Sequence, residues 1–320
     1  MNLLKDLIKI NTYEGDYTKI IKCITDYLRQ NIKCRIEIQE ISAKKANIIA
    51  TIGQPRLALN CHMDTVPPVK GWNKEPLRLT EDETFLYGLG TCDTKGNIFA
   101  MIKAVEKVKP QNIMLLFTVD EEAGVKTGVK YFLESDYKRG IQRAIVGEPT
   151  QLKFVSRHKG YYSFEVEFDA VAKHSSVKSQ GAIVKAAKSI VKLDEDTFNI
   201  GVINGGVAGN IVSQKCTFKT SKRTYDSEID VKNKVLELCS GARVSQRFIG
   251  PALKNDRPMF VGDFQEVSFW TEASLFQEIG INSIVFGVGS IEQAHSANEF
   301  VEKSHIIEAQ EKLENIIKGE

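Results

Sequence analysis

The feature that most constrains the fold is a set of short apolar runs in the first half of the chain. They read "NIIATI", "RLALNC", "IMLLFTV" and "RAIVG", and none of them alternates with polar residues. Runs of this length and composition are typical of strands that are covered on both faces. Before the third run, "TKGNIFAMIKAVEKVK" places Ile98, Met101, Ile102 and Val105 on one helical face. This alternation of buried strands and helices predicts an α/β layer architecture.

The pattern changes from about Phe154. Strand-like "YYSFEVEFDAVA" is followed by helix-like "GAIVKAAKSIVKL", strand-like "TFNIGVI" and "SQKCTFKTSKRT", helix-like "EIDVKNKVLELC" and strand-like "ARVSQRFIG". This β-α-β-β-α-β order is that of a split βαβ unit. The final segment returns to the first pattern, with "INSIVFGV" as a buried strand and "SHIIEAQEKLENIIKG" as an amphipathic helix. We predict an α/β domain made of residues 1–153 and 250–320, with a smaller α+β domain, residues 154–249, inserted in it.

Composition excludes several classes of partner. The chain has 320 residues, with 43 basic and 41 acidic side chains and a net charge of +2. Without a block of like charge, nothing indicates nucleic acid or an anionic membrane as a partner, and a small molecule is favoured. No run approaches the roughly 18 apolar residues of a membrane span, and the amino terminus lacks a signal-peptide pattern, so we expect a cytoplasmic protein. The six cysteines show no CxxC spacing, which predicts reduced thiols.

Charged side chains gather where the apolar runs end. In an open α/β sheet, the carboxyl ends of the strands form the rim at which ligands bind. The residues at these ends, and after the last strand, are His62, Asp64, Asp93, Glu121, Glu122, Glu148 and His295. Any one of them alone would be interpreted as a solvated rim residue. Their coincidence at five strand ends favours a shared site.

A cluster of carboxylates needs a cation, because partly desolvated like charges repel strongly. Histidine and carboxylate without thiolate suit zinc or a similar divalent metal. There are too many carboxylates for one tetrahedral site, so the sequence predicts two ions that share a bridging carboxylate, as in co-catalytic hydrolases. Asp64 lies two residues after His62 on the same strand face and could orient the imidazole.

Several segments together resemble the M20 family of metallopeptidases and amino-acid deacylases. They are "CHMDTVP", "LYGLGTCDTKGN", "TVDEEAG", "VGEPT", "RHKG" and "IEQAHSANEFV". Within the family, "FNIGVINGGVAGNIVSQ" and "FWTEASLFQEIG" are most similar to the acetylornithine and acetylcitrulline deacetylase group. The resemblance implies a zinc-aminopeptidase-like α/β/α catalytic domain, with an inserted ferredoxin-like domain that serves as lid and dimerisation module. A homodimer is therefore expected.

The resemblance also implies roles for single residues. His62 and Glu148 would bind one metal ion, Glu122 and His295 the other, and Asp93 would bridge the two. Glu121 would be the general base, and Asp64 would orient His62. The implied cofactors are two divalent metal ions, Zn²⁺ in the first place, with Co²⁺ as a substitute.

In the inserted domain, His174 would reach the active site of the partner subunit, while Asn210 and Arg223 would contact the carboxylate end of the substrate. From spacing alone, His174 would only cap a strand and Arg223 would be a surface arginine. The segment "SKRT" also departs from the aspartate-containing version of this motif.

The reaction implied is hydrolysis of the N-acetyl group of N-acetyl-L-ornithine or N-acetyl-L-citrulline in arginine biosynthesis. Alternatives that share the same centre are acetyl-lysine deacetylase, succinyl-diaminopimelate desuccinylase and dipeptidase. A non-catalytic binding module with the same fold would be expected to lack a metal ligand or the base, and all of them are present.

Overall fold

The computed structural model describes residues 1–122 and 127–319. Within them lie eight α-helices and a short 3₁₀ helix, Asp136–Lys138. The α-helices are α1 (Asn2–Lys9), α2 (Thr18–Asn31), α3 (Lys95–Val108), α4 (Gly128–Glu134), α5 (Ala182–Glu195), α6 (Glu228–Leu238), α7 (Ala273–Glu278) and α8 (Lys303–Lys318).

Sixteen strands are found in the same part of the chain. They are β1 (Arg35–Ser42), β2 (Lys45–Ile52), β3 (Leu57–His62), β4 (Thr80–Glu81), β5 (Phe85–Tyr87), β6 (Ile113–Thr118), β7 (Arg143–Val146), β8 (Phe154–His158), β9 (Gly160–Asp169), β10 (Asn199–Gly205), β11 (Lys215–Thr224), β12 (Arg243–Gly250), β13 (Leu253–Lys254), β14 (Phe264–Val267), β15 (Asn282–Val285) and β16 (Phe300–Glu302). The helix and strand types predicted from the apolar runs are confirmed.

The chain divides into two compact units. The first contains Met1–Arg157, Lys254–Glu266 and Thr271–Glu320, and the second contains His158–Leu253 and Val267–Trp270. The short return of Val267–Trp270 to the second unit is a feature that the apolar pattern does not indicate.

The first unit is built on a mixed sheet with the strand order β1-β2-β6-β3-β7-β15-β8-β13. The four central strands, β6, β3, β7 and β15, are parallel to one another. Every residue of β3 and of β6 is buried, which explains why their sequences show no polar alternation. Four parallel neighbours bring four carboxyl ends to one edge of the sheet.

Helices cover this sheet and form the core with it. In α2, Ile20, Ile24 and Leu28 are fully buried at a spacing of four residues, so the helix lays one apolar stripe on the core. Helix α3 differs from the one-faced helix that its sequence predicts. It packs against α8, α1, β3 and β6, so Asn97, Phe99 and Ala100 are buried as well as the apolar face.

The second unit has its own sheet, with the order β10-β11-β9-β12 and antiparallel pairing throughout. Helices α5 and α6 pack on it. Phe164, Val166 and Phe218 contribute fully or almost fully buried side chains to a core that belongs to this unit alone. Strand β9 alternates buried and half-exposed residues, as expected of a strand with one covered face.

All six cysteines are free thiols, and four of them, Cys61, Cys92, Cys216 and Cys239, are buried. The prediction of reduced cysteines is confirmed. In the described part of the chain, none of the helices combines the length and the apolar character that crossing a membrane requires.

Candidate metal centre

The register of the parallel strands brings the polar strand ends together. His62, the last residue of β3, pairs with Thr118, the last residue of β6, while Asn60 pairs with Val146 at the end of β7. The chain therefore leaves all three strands at nearly the same level of the sheet. Glu121 and Glu122 follow β6, and Glu148 follows β7, within four residues of these ends. Asp93 differs from the expectation, because it comes from the loop between β5 and α3, and β5 belongs to a separate three-stranded sheet with β4 and β16.

One carboxylate lies between two histidines. Asp93 Oδ1 is 3.1 Å from His62 Nε2, and Asp93 Oδ2 is 3.4 Å from His295 Nε2. The same ring nitrogen of each histidine also faces a second carboxylate. Glu148 Oε1 is 3.7 Å from His62 Nε2, and Glu122 Oε1 is 2.7 Å from His295 Nε2. The structure thus brings together all five residues that were predicted as metal ligands.

The donor set fits a divalent metal. His62, Asp93 and Glu122 each offer one ligand atom, and these atoms lie within 4.8 Å of one another. Imidazole nitrogen with carboxylate oxygen suits Zn²⁺ and related first-row ions. Because each oxygen of Asp93 faces a different imidazole, the arrangement also fits two ions that share one bridging carboxylate.

The directions of the pKa shifts indicate that the cluster favours positive charge. Burial, followed by repulsion from the neighbouring Glu122 carboxylate, raises the pKa of Glu121 well above its usual value. Burial and the nearby Asp93 carboxylate likewise raise the pKa of Glu122. Burial alone would lower the pKa of His62, but contact with Asp93 and Glu148 raises it well above the usual value. The clustered carboxylates therefore favour positive charge at His62, as they would favour a bound cation.

The turn that carries Glu121 and Glu122 is anchored from two sides. Asp120, directly before this turn, adopts the left-handed conformation, with φ of 61°. The Tyr17 hydroxyl donates to Asp120 Oδ1 over 2.9 Å, and Lys45 Nζ donates to both of its oxygens over 2.8 Å. This anchor holds the end of β6 in place.

Asp64 holds the same turn from the other side. Its Oδ1 accepts the main-chain N–H of Glu121 over 3.3 Å, and its Oδ2 accepts that of Glu122 over 2.9 Å. The expected hydrogen bond from His62 takes a different form, because Nδ1 lies 3.0 Å from the main-chain oxygen of Asp64 and 3.7 Å from its carboxylate. Asp64 therefore contacts the imidazole mainly through its backbone, and its carboxylate fixes the acidic turn.

The three site residues predicted in the second unit are exposed. His174 pairs with Ile211 in an isolated antiparallel bridge, and its Nδ1 lies 2.8 Å from the Ser176 hydroxyl. The main-chain oxygen of Asn210 accepts the N–H of Ser175 over 3.0 Å, so His174 and Asn210 belong to adjacent segments. Arg223 lies on β11, with its guanidinium 4.5 Å from the Tyr161 ring centre.

Sequence reasoning missed several polar residues next to the centre. Glu299 accepts three main-chain N–H groups of the loop that leads to Asp93. Glu272 is 1% exposed, and its Oε2 lies 3.3 Å from the Thr118 hydroxyl at the end of β6. Tyr17 and Lys45 make the anchor on Asp120. Glu299 in "SANEF" and Glu272 in "FWTEAS" both lie in segments that carry the family resemblance, whereas Tyr17 and Lys45 had no such signal because their contacts join distant parts of the chain.

Comparison with known proteins agrees with this geometry. The profile of peptidase family M20/M25/M40 matches residues 58–319. An N-acetyl-L-citrulline deacetylase of Xanthomonas campestris is 29% identical over 340 aligned positions, which cover 92% of this chain and 91% of that protein. An acetylornithine deacetylase of Myxococcus xanthus is 32% identical over 314 positions, which cover 82% of this chain and 81% of that protein.

Solved structures show the same fold. A tripeptidase from Staphylococcus aureus superposes with a TM-score of 0.82 at 21% identity, covering 99% of this chain and 96% of the other. A metallo-carboxypeptidase of the M20 family from Sulfolobus solfataricus superposes with a TM-score of 0.80 at 15% identity, covering 99% and 98%. The predicted α/β fold class is confirmed by these matches. The chain belongs to peptidase family M20/M25/M40 and is a metal-dependent hydrolase.

Proposed function

We propose that the chain removes the acetyl group from N-acetyl-L-ornithine or N-acetyl-L-citrulline, releasing acetate and the free amino acid in arginine biosynthesis. The observation that carries the proposal is the Asp93 carboxylate between His62 and His295, with one oxygen directed at each imidazole. The acylated amino acid as substrate is supported by the names of the two relatives described above, each of which aligns with more than four fifths of the chain.

The proposed metal ligands divide into two sets. His62 and Glu148 would hold one ion, Glu122 and His295 would hold the other, and Asp93 would contact both. We propose Zn²⁺ as the resident ion and Co²⁺ as a competent substitute, since the donors are nitrogen and oxygen. Two such cations supply the Lewis acidity that activates water and polarises an acyl carbonyl.

Glu121 would act as the general base. Burial and the adjacent Glu122 raise the pKa of its carboxyl group, and a carboxylate that is made more basic is a better proton acceptor. Glu121 would accept a proton from the attacking water and return it to the nitrogen as the C–N bond breaks. Asp64 supports this role, because its carboxylate fixes the N–H groups of Glu121 and Glu122.

We further propose that the chain acts as a homodimer through its second unit. Strand β10 is the last strand of its sheet in the described residues and pairs only with β11. Its Val202 and Ile203 are exposed, as are Val184 and Val191 on α5. Exposed apolar residues beside an open strand edge favour pairing with a second copy of the chain. His174 of that copy would donate to the developing oxyanion.

We propose that Asn210 and Arg223 would bind the carboxylate of the substrate. The guanidinium of Arg223 is planar and offers paired donors that match a carboxylate. Its position over the Tyr161 ring holds that plane in one orientation, which reduces the conformational entropy lost on binding. This assignment rests on the family resemblance and on the exposure of both side chains.

The test measures amine release by Zn²⁺- or Co²⁺-loaded protein, with a chelated sample as the control. The substrates are N-acetylornithine, N-acetylcitrulline, N-acetyllysine, N-succinyl-diaminopimelate and a simple dipeptide. We expect turnover of N-acetylornithine or N-acetylcitrulline that is lost on chelation.

Two other outcomes would contradict the proposal. Cleavage of the dipeptide alone would keep the metal centre and assign the chain to the peptidases of the family. Preference for the lysine or diaminopimelate derivative would keep acyl-amino-acid hydrolysis and exclude the proposed step in arginine biosynthesis.

A further inference from the structure

One buried carboxylate near the centre has partners that the proposed mechanism does not use. Glu299 is 2% exposed and directly precedes β16. Its Oε2 accepts the main-chain N–H of Gly90 over 2.8 Å, while its Oε1 accepts those of Cys92 over 2.8 Å and Asp93 over 3.0 Å. Its main-chain oxygen also accepts the N–H of Gly88 over 3.0 Å. One residue thus satisfies four N–H groups of the loop between β5 and α3.

The backbone conformation of this loop is also restricted by its glycine and by its burial. Gly90 has φ of 86°, and a Cβ there would lie 2.9 Å from the Lys95 side chain. The loop is buried from Gly88 to Thr94, and a buried N–H without an acceptor costs about 1–3 kcal/mol. Glu299 is therefore the acceptor that allows this buried loop to take its shape.

The same loop ends on the residue that lies between the two histidines. The N–H of Asp93 donates to Glu299, while its carboxylate contacts His62 and His295. His295 lies four residues before Glu299 in the same segment. Asn298, between them, accepts the N–H groups of Asn73 and Lys74 over 3.0 and 3.1 Å. Glu299 thus joins the segment that carries one histidine to the loop that carries the shared carboxylate.

We propose that Glu299 is a positioning residue that holds the Asp93 loop in register with His295, so that both oxygens of Asp93 can serve two metal ions. The proposal rests on the two-ion function proposed above and deepens it. A carboxylate that fixes a ligand from outside the coordination sphere is expected to change metal affinity by roughly 10- to 100-fold.

The test compares Glu299→Gln with the wild type and with Glu314→Gln. In Glu299→Gln one oxygen can still accept, but the amide N–H₂ must face an N–H of the loop, so at least one hydrogen bond is lost. Glu314 is a matched control, because it is 4% exposed on α8 and accepts from Gln310 over 2.8 Å in the same unit. Glu299→Asp keeps the charge and withdraws both oxygens, and it serves as a second variant.

The readouts are Co²⁺ titration by calorimetry and the visible spectrum of the Co²⁺-loaded protein. For Glu299→Gln and Glu299→Asp we expect the more weakly bound ion to lose roughly 10- to 100-fold in affinity, with an altered spectrum at two equivalents. Excess metal should restore kcat with KM unchanged. Glu314→Gln should bind both ions as the wild type does.

The proposal is overturned if both Glu299 variants bind two ions with wild-type affinity and spectrum, even if they unfold at a lower temperature. It is also overturned if Glu314→Gln shows the same loss. The result is separable from the proposed function, since a wild type that binds two ions and cleaves no acylated amino acid would refute the reaction and leave the affinity comparison valid.

Discussion

The site residues proposed in the two units differ in how they are held. In the first unit, His62 is 2% exposed and Asp93 is 7% exposed, and each lies within hydrogen-bonding distance of another charged group of the centre. In the second unit, His174, Asn210 and Arg223 are exposed. His174 contacts the Ser176 hydroxyl, and Arg223 lies over the Tyr161 ring. Apart from His295, whose side chain is exposed, the first set is buried or half-buried and linked by contacts between charged groups, whereas the second set is exposed.

This difference follows from the cost of burial. A buried charge without compensation is expensive, so a unit that buries carboxylates must also supply the groups that compensate them. The first unit does so with histidines, main-chain N–H groups and the anchors on Asp120. Exposed side chains carry no such requirement. The chemistry of the centre should therefore be preorganised, whereas the residues of the second unit should act only when substrate or a second chain is bound.

The largest effect is expected for Glu121→Gln, which changes the proposed base of the preorganised centre in the first unit. The amide cannot accept the proton from water, so kcat should fall by roughly 10²- to 10⁴-fold while bound metal, measured by elemental analysis, stays at the wild-type level. The exposed variant Glu83→Gln is the control. Full turnover with metal retained would rule out Glu121 as the base.

His174→Ala tests the proposed role of the exposed residues in the second unit. Loss of one oxyanion donor should lower kcat by roughly 10²- to 10³-fold. Because the residue is exposed, the unfolding temperature and the metal content should not change. His305→Ala, which removes a half-buried imidazole on α8, is the control for loss of a histidine away from the metal centre. Wild-type kcat, or full activity from a strictly monomeric protein in gel filtration, would remove His174 from the mechanism.

Metal loading should stabilise the two units unequally. All five proposed ligands lie in the first unit, so Zn²⁺ at about 100 times its Kd should add about 2.7 kcal/mol to the stability of the state that binds it. In hydrogen exchange followed by mass spectrometry, peptides of β3 and β6 should gain protection, and peptides of β9 and β11 should gain much less. Equal gains in both units would refute this separation.

The smallest expected effect comes from the anchor on Asp120. Tyr17→Phe removes a hydroxyl that donates to Asp120, and Tyr27→Phe removes one that donates to Glu106 over 2.8 Å. Each change should lower the free energy of unfolding by about 1–3 kcal/mol. Only Tyr17→Phe should also lower kcat, because only Asp120 precedes the acidic turn. Equal kcat values for the two variants would show that the anchor serves stability alone.

The elements that could be predicted from the sequence are those marked by a pattern of neighbouring residues. The apolar runs identified β3, β6 and β7, and the charged residues at their ends led to His62, Glu122 and Glu148, since parallel strands end at one edge. Helix α2 was not predicted, although Ile20, Ile24 and Leu28 carry the same kind of periodic signal.

The contacts that support the centre could not be predicted in this way. Tyr17 lies 103 residues from Asp120, Lys45 lies 75 residues from it, and Glu299 lies 206 residues from Asp93. No periodic pattern links positions so far apart. The burial of α3 beyond its apolar face was missed for a similar reason, because the helices that pack on it, α1 and α8, come from the two ends of the chain.

The position of two proposed ligands at the ends of strands has a consequence for how proteins with this fold can diversify. His62 ends β3, and Glu148 lies two residues beyond β7, so these two proposed ligands are placed by strands rather than by the loops that follow. Such loops can lengthen, shorten or change composition without moving a strand end. New specificities could therefore evolve, or be engineered, by exchanging loops while the same hydrolytic chemistry is retained.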